Sequence, residues 1–234
     1  MSSSANGRQP ADDALRVHRL PERGRYDRDT IYSILDEALI CHVGFVASDQ
    51  PFVIPTIHAR LGDVLYLHGS RASRMLGNLR QGVKVCVTAT VVDGVVLARS
   101  AFEHSMNYRS VVALGVAREI EGPEKIAALR AVAEHVMPGR WDDVRQPDDK
   151  ELRQTSVLRL PLDRASAKVR TGPPKDKEMD LELPVWAGLV PVRMVAFEPE
   201  PDDITGAMDP PDYVVGWRRS DHAASSPVER DAQP

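Results

Sequence analysis

The sequence predicts a mainly β protein, a β-barrel with peripheral helices, and three observations carry that prediction. Runs rich in Val, Ile, Leu, Thr and aromatic residues recur between short turn signals, as in "LICHVGFVAS", "QPFVIPTIHAR" and "DVLYLHG". Helical patterning is confined to about 27–38, 71–80 and 123–137. Strands follow strands instead of alternating with helices, which disfavours a doubly wound nucleotide-binding fold.

The elements follow in chain order. Residues 1–20 are small, polar and charged and read as a disordered N-terminal tail. After the helix 27–38, the first two strand runs are joined by "SDQP", a hairpin-like turn, and "DVLYLHG" comes after the short turn "LGD". In that third run Val64, Tyr66 and His68 share one face, and Leu65 and Leu67 share the other. Ser70 is placed to cap the helix 71–80. "VKVCVTATVV" and "VVLAR" flank Asp93-Gly94, a dipeptide that signals a hairpin turn. "SVVALGVAREI" is the next strand, then the helix 123–137, then "SVLRLPLD" and "SAKVRTG", with "VWAGLVPVRMVAF" as the last strand. The folded unit is one domain over 21–197. Residues 198–234, rich in Pro, Asp, Ser and Arg, read as a mostly disordered tail in which "PDYVVGW" offers apolar residues for docking on the body or on a partner chain.

Bulk properties exclude some functions. A formal charge of −4 gives no reason to expect nucleic-acid or membrane-surface binding, so any basic site must be local. Cys41 and Cys86 lie in apolar strand-like surroundings and read as buried free thiols. The N-terminal stretch lacks the apolar core of a signal peptide, and no run has membrane-spanning length; a cytoplasmic protein is the expectation.

Two stretches carry candidate chemistry. In "LHGSRASR" a strand ends in His68, Gly69 and Ser70, and Arg71, Ser73 and Arg74 follow. A helix N-terminus exposes unpaired N–H groups, so these residues read either as a phosphate cradle or as a capped helix with solvated arginines. In "RSAFEHSMNYRS", Arg99, Ser100, His104, Asn107, Tyr108, Arg109 and Ser110 crowd the mouth of an apolar strand; they line a cofactor or form a polar loop. The seven histidines form no HxxxH or HExxH spacing and there is no CxxC, so no metal site is expected. Neither GxSxG, GxGxxG nor a phosphate-binding P-loop occurs.

Together, the "P-T" strand, "LYLHGS…R", "HSMNYRSV" and the late "VWAGLVPV" resemble the flavin-nucleotide-binding branch of the pyridoxamine-5′-phosphate-oxidase-like superfamily, which includes nitroimidazole-reductase-type proteins. The resemblance spans about 20–197. It implies a six-stranded antiparallel Greek-key split barrel that forms a homodimer and holds FMN in grooves at the interface. Carried onto this chain, Val53, Ile54, Pro55 and Thr56 would run beside the isoalloxazine ring, and His68 and Gly69 would lie against the flavin. Ser70 and Ser73 would hold the phosphate with Arg74 or Arg71. Asn107, Tyr108, Arg109 and Ser110 would reach the cofactor from the second subunit, and Trp186 would pack near the ring or the interface. His68 is the candidate proton donor, since a free imidazole titrates near ~6.5. The C-terminal basic signature of enzymes that oxidise pyridoxamine phosphate is not found. The implied activity is an FMN-dependent oxidoreductase that reduces a small organic acceptor with NAD(P)H. The alternatives are a flavin-binding or storage protein without turnover, or the same barrel holding deazaflavin F420 or haem, for which His58, His68 or His104 would be the axial ligand.

Overall fold

Strand alternation decides most of this fold. The computed structural model describes residues 12–206 and 208–218. In chain order the main elements are β1 (Gly24–Arg25), α1 (Arg28–Glu37), β2 (Ile40–Ala47), β3 (Gln50–Leu61), β4 (Val64–Ser70), α2 (Arg74–Arg80), β5 (Lys84–Leu97), β6 (Ser105–Val116), β7 (Arg118–Glu119), α3 (Gly122–Val136), α4 (Arg140–Asp143), α5 (Asp149–Gln154), β8 (Thr155–Pro161), β9 (Ala165–Arg170), β10 (Gly188–Pro191) and α6 (Asp212–Val215). No described helix is long and apolar enough to cross a membrane.

The strands pair antiparallel in the order β1-β9-β6-β5-β2-β3-β4-β8-β7, with β10 on β5. β8 and β9 are consecutive in sequence yet sit on opposite sides of that order, so the sheet curls round and the turn between them spans the gap. A Leu114 N–H to Arg164 carbonyl bond of 2.9 Å ties that turn to β6. This is a split β-barrel. Its long strands are β2, β3, β4, β5, β6, β8 and β9, seven where six were expected, and the short β1, β7 and β10 add to them.

The core follows from the period-two pattern. Cys41, Val43 and Phe45 of β2, Leu65 and Leu67 of β4, Val85, Val87 and Ala89 of β5, and Val111 and Ala113 of β6 point inward. One end is closed by α1 through Ile31, Ile34 and Leu35, and α2 adds Met75, Leu76 and Leu79. On the other face of β4, Val64 and Tyr66 join Val157, Ile120 and Ala128 in a second cluster beneath α3, which confirms the alternation read for 64–68. Asp27 caps α1, its side chain accepting from the Thr30 N–H at 2.8 Å. Ser48 and Asp49 both have positive φ and form the two-residue turn between β2 and β3.

Several expectations need correction. Asp93-Gly94 is not a turn: β5 runs straight through it, because β6 pairs along nearly its whole length, and a bulge takes up Asp93. The inward set shifts across that bulge from Val85, Val87 and Ala89 to Val96 and Ala98. A Cβ on Gly94 would lie 2.9 Å from the Val190 carbonyl, so the glycine lets β10 approach. The second helix begins at Arg74, not 71, and Ser73 instead of Ser70 is its cap, accepting from the Leu76 N–H at 3.4 Å. "SMNYRS" is not a loop but the start of β6. Of the last expected strand only Gly188–Pro191 pairs.

Contacts also pass beyond 21 and 197. Leu15 is buried and Arg164 donates to Asp12. Trp217, from the "PDYVVGW" stretch, donates its indole N–H to the Val136 carbonyl at 2.8 Å. Of the tails expected over 1–20 and 198–234, residues 1–11, 207 and 219–234 lie outside the described residues. Both cysteines are free; burial pushes the Cys41 thiol up to about 12 and raises that of Cys86.

Candidate functional site

A change of partner along β3 creates the site. Residues 50–57 of β3 pair with β2, but only 58–61 pair with β4. β4 runs on past that point, and His68, Gly69 and Ser70 pair with β8 alone. Two unpaired strand edges therefore diverge, β3 on one side and the end of β4 on the other. Along 50–57 every second residue directs its N–H and C=O away from β2, where they need partners. The guanidinium of Arg74, at the start of α2, lies 4.5 Å from the centroid of the Phe52 ring on β3 and so bridges the mouth of this wedge.

Val53, Ile54, Pro55 and Thr56 form the β3 edge of the wedge. Val53 and Pro55 are exposed on the outer sheet face, while Ile54 packs on the core. His68 is half-buried, and its Nδ1 is buried without a hydrogen-bond partner. Burial holds its pKa below the usual histidine value, so the imidazole is neutral at pH 7, and any proton it delivers must first be taken up. Gly69 has a packing reason as well: a Cβ there would lie 3.2 Å from Leu76 Cδ1, so the glycine lets α2 seat against β4. Ser70 Oγ accepts from the Ala72 N–H at 3.2 Å.

The two arginines part company. Arg71 turns towards α3, where it meets Glu121 at 3.5 Å and lines a cleft of about 240 Å³ with Lys125 and Arg153. Arg74 faces β3. Only Arg74, with Ser70 and Ser73, stands at the wedge.

The β6 candidates lie elsewhere on the sheet. β5 and β2 separate β6 from β3, three strand spacings or roughly 14 Å. Asn107 and Arg109 share the face of core-facing Val111 and Ala113 and are already engaged. Asn107 Oδ1 accepts from Arg170, and its Nδ2 donates to the Gly172 carbonyl at 3.2 Å. Arg109 is clasped by Glu37 and Asp93, with Nη2 at 2.7 Å from a carboxylate oxygen of each, and these bonds hold its pKa well above the ordinary arginine value. Tyr108 and Ser110 remain on the outward face. Trp186 is exposed beside Gly188, next to the β10–β5 pairing and not at the wedge.

Of the other histidines proposed as ligands, His58 is enclosed, its Nε2 2.9 Å from the Leu35 carbonyl and its ring centroid 4.8 Å from that of His135. His104 is exposed, with Nδ1 2.8 Å from the Ser100 carbonyl. Among the described residues no group of three or more His, Cys, Asp or Glu is placed to hold a metal.

Sequence reasoning missed Lys168 and Arg170, which stand opposite Ser110 and Tyr108 across the β6–β9 ladder. The signal was present: in "ASAKVR" the core-facing Ala165, Ala167 and Val169 alternate with Ser166, Lys168 and Arg170.

The His68 environment yields a pH prediction. A histidine with a depressed folded-state pKa binds fewer protons folded than unfolded, so stability is intact above the unfolded value near ~6.5 and falls as pH drops through it. Urea unfolding of the wild type should weaken between about pH 7 and 5. His68→Gln should remove part of that slope, and an unchanged slope would contradict the assignment.

The model of the pyridoxamine 5′-phosphate oxidase family matches residues 27–169. The flavocytochrome Anf3 from Azotobacter vinelandii is 38% identical, with a TM-score of 0.83 over 90% of this chain and 99% of that one. An FAD- and haem-binding protein from Mycobacterium smegmatis is 33% identical, with a TM-score of 0.80 over 83% of this chain and 96% of that one. A protein from Bacteroides thetaiotaomicron, named as a candidate 5-nitroimidazole antibiotic resistance protein, is 28% identical, with a TM-score of 0.53 over 62% of this chain and 86% of that one. No curated protein sequence matches the chain.

Proposed function

This chain belongs to the pyridoxamine 5′-phosphate oxidase family, and from that premise we propose that it binds a flavin nucleotide in the wedge between β3 and β4 and reduces a small organic acceptor through it. The observation that carries this reading is the unpaired β3 edge over 50–57 facing His68, with Arg74 bridging the mouth. A flavin supplies hydride and electron transfer when bound. The chain's own residues bind, orient and shield it. The unpaired backbone groups along Val53–Thr56 would hold the flavin, and Ser70, Ser73 and Arg74 would hold its phosphate. His68, neutral and half-buried at the wedge, would take up a proton from solvent and pass it on to the bound group.

FMN is the nucleotide the resemblance implies, with NAD(P)H as electron source. Haem together with the flavin is the second reading, favoured by the names of both relatives above 30% identity. His58 is too enclosed to ligate it. His104 would be the residue to hold it, since its ring is oriented at Nδ1 by the Ser100 carbonyl.

The working unit is a homodimer. Ile40, Val46, Val53, Ile57, Val92 and Met106 are exposed on the outer faces of β2, β3, β5 and β6, an apolar expanse that a second copy would cover. That docking also brings Tyr108 and Ser110 of one copy towards the wedge of the other.

Phosphate contact is tested by pairing two variants. Arg74→Ala should weaken FMN binding by about 10- to 100-fold, as expected for a lost charge-assisted hydrogen bond, and Arg71→Ala should leave it within a factor of about two. Equal effects in fluorescence titrations would overturn the wedge assignment.

A further inference from the structure

Arg170 closes β9 and is 5% exposed, yet no carboxylate among the described residues pairs with it. Its guanidinium donates to Asn107 Oδ1, to the Gly172 carbonyl at 3.1 Å and to the Pro173 carbonyl at 3.5 Å, all neutral acceptors. The Nε is buried without any partner. Burial and the nearby Arg23 charge both hold its pKa below the usual arginine value, while Tyr108 acts in the opposite sense. A guanidinium does not escape this penalty by losing its proton, so a buried arginine is ordinarily paired with an anion.

Among the described residues, the surroundings supply donors and no acid. Arg170 stands opposite Tyr108, and Lys168 stands opposite Ser110. On β9, Lys168 and Arg170 alternate with Ala165, Ala167 and Val169, which pack on the core, and on β6, Tyr108 and Ser110 alternate with Val111 and Ala113. Lys168, Tyr108 and Ser110 thus share one outward face, with the Arg170 guanidinium buried beside it against Asn107, Gly172 and Pro173, and Lys168 also lacks an ion pair among the described residues. We propose that this face of β6 and β9 is an oxyanion site that takes a phosphate group, with Arg170 as the buried charge that the anion neutralises and Lys168, Tyr108 and Ser110 completing the donor set. The site is distinct from the wedge of the same chain, which lies three strands away. Its phosphate comes from the flavin nucleotide held by a second copy or from a separate phosphate-bearing substrate. Only the first source rests on the flavin reading.

The test uses the full-length protein as purified. Thermal unfolding is followed with rising sodium pyrophosphate, against sodium chloride at matched ionic strength, and FMN and riboflavin are titrated by fluorescence. Pyrophosphate should raise the wild-type midpoint, raise that of Lys168→Met less and that of Arg170→Met least, any remainder belonging to Arg74 at the wedge. Arg170→Met also removes a donor to three acceptors, so the readout is the pyrophosphate increment and not stability itself; Lys168→Met keeps those bonds. With the flavin phosphate as the source, Arg170→Met weakens FMN about 10- to 100-fold and leaves riboflavin unchanged. With a separate substrate as the source, the pyrophosphate increment falls while FMN binding is kept. A protein that takes up no flavin but keeps an Arg170-dependent pyrophosphate response retires the flavin reading and retains this site. The same pyrophosphate response in wild type and Arg170→Met, or none in the wild type, overturns the proposal.

Discussion

Arg109→Met is expected to destabilise the fold by about 2–4 kcal/mol, read as a lowered urea midpoint with unchanged m-value. Arg109 joins three elements that are distant in sequence: Glu37 at the end of α1, Asp93 in the β5 bulge, and its own strand β6. The side chains of Glu37 and Asp93 are 12% and 30% exposed, so removing the cation leaves two partly buried carboxylates facing each other. Breaking a fully buried pair costs about 3–5 kcal/mol, and the residual exposure of Asp93 lowers that figure. Replacing all three, with Glu37→Gln and Asp93→Asn added, should recover most of the loss. A single-variant loss below about 0.5 kcal/mol would show that the cluster is surface decoration.

Val53→Glu is expected to abolish dimerisation and, with it, most flavin retention. Val53 is 65% exposed on β3, alongside exposed Val46 of β2 on the same outward face, so the substitution costs the single chain little. In a dimer it places an unpaired carboxylate in an apolar contact, where the cost of taking the charge out of water is uncompensated. Sedimentation should show a folded monomer with the wild-type far-UV spectrum. A dimer that survives the substitution would move the interface off this sheet face.

Much of the fold is legible in local sequence because it rests on alternation. Val64 to His68 can be assigned to faces from period two alone, and Ile31, Ile34 and Leu35 mark the buried stripe of α1. What was not legible depends on partners far away. Asp93-Gly94 has the composition of a turn, and only β6 and β10, lying along β5, convert it into a bulge. Ser70 reads as the cap in sequence; the Ser70–Thr155 pairing with β8 keeps it in the strand and leaves the cap to Ser73.

The site divides in the same way. The residues at the wedge could be named from their motifs, but the wedge itself arises where β3 exchanges β4 for β2, an event with no local signature. Arg109 and Asn107 look like cofactor contacts in sequence because their partners, Glu37 and Arg170, lie far along the chain. Arg71 and Arg74 are equivalent by spacing and separate only when Glu121 and Phe52 are in place.

The central claim is that this barrel holds a flavin nucleotide, and the visible absorbance spectrum of freshly purified protein, with mass spectrometry of the ligand released on unfolding, tests it most directly. A flavin spectrum and a released mass of FMN or FAD is the predicted result, with a Soret band added where haem is also bound. A colourless protein that takes up neither FMN nor FAD when they are supplied would contradict it.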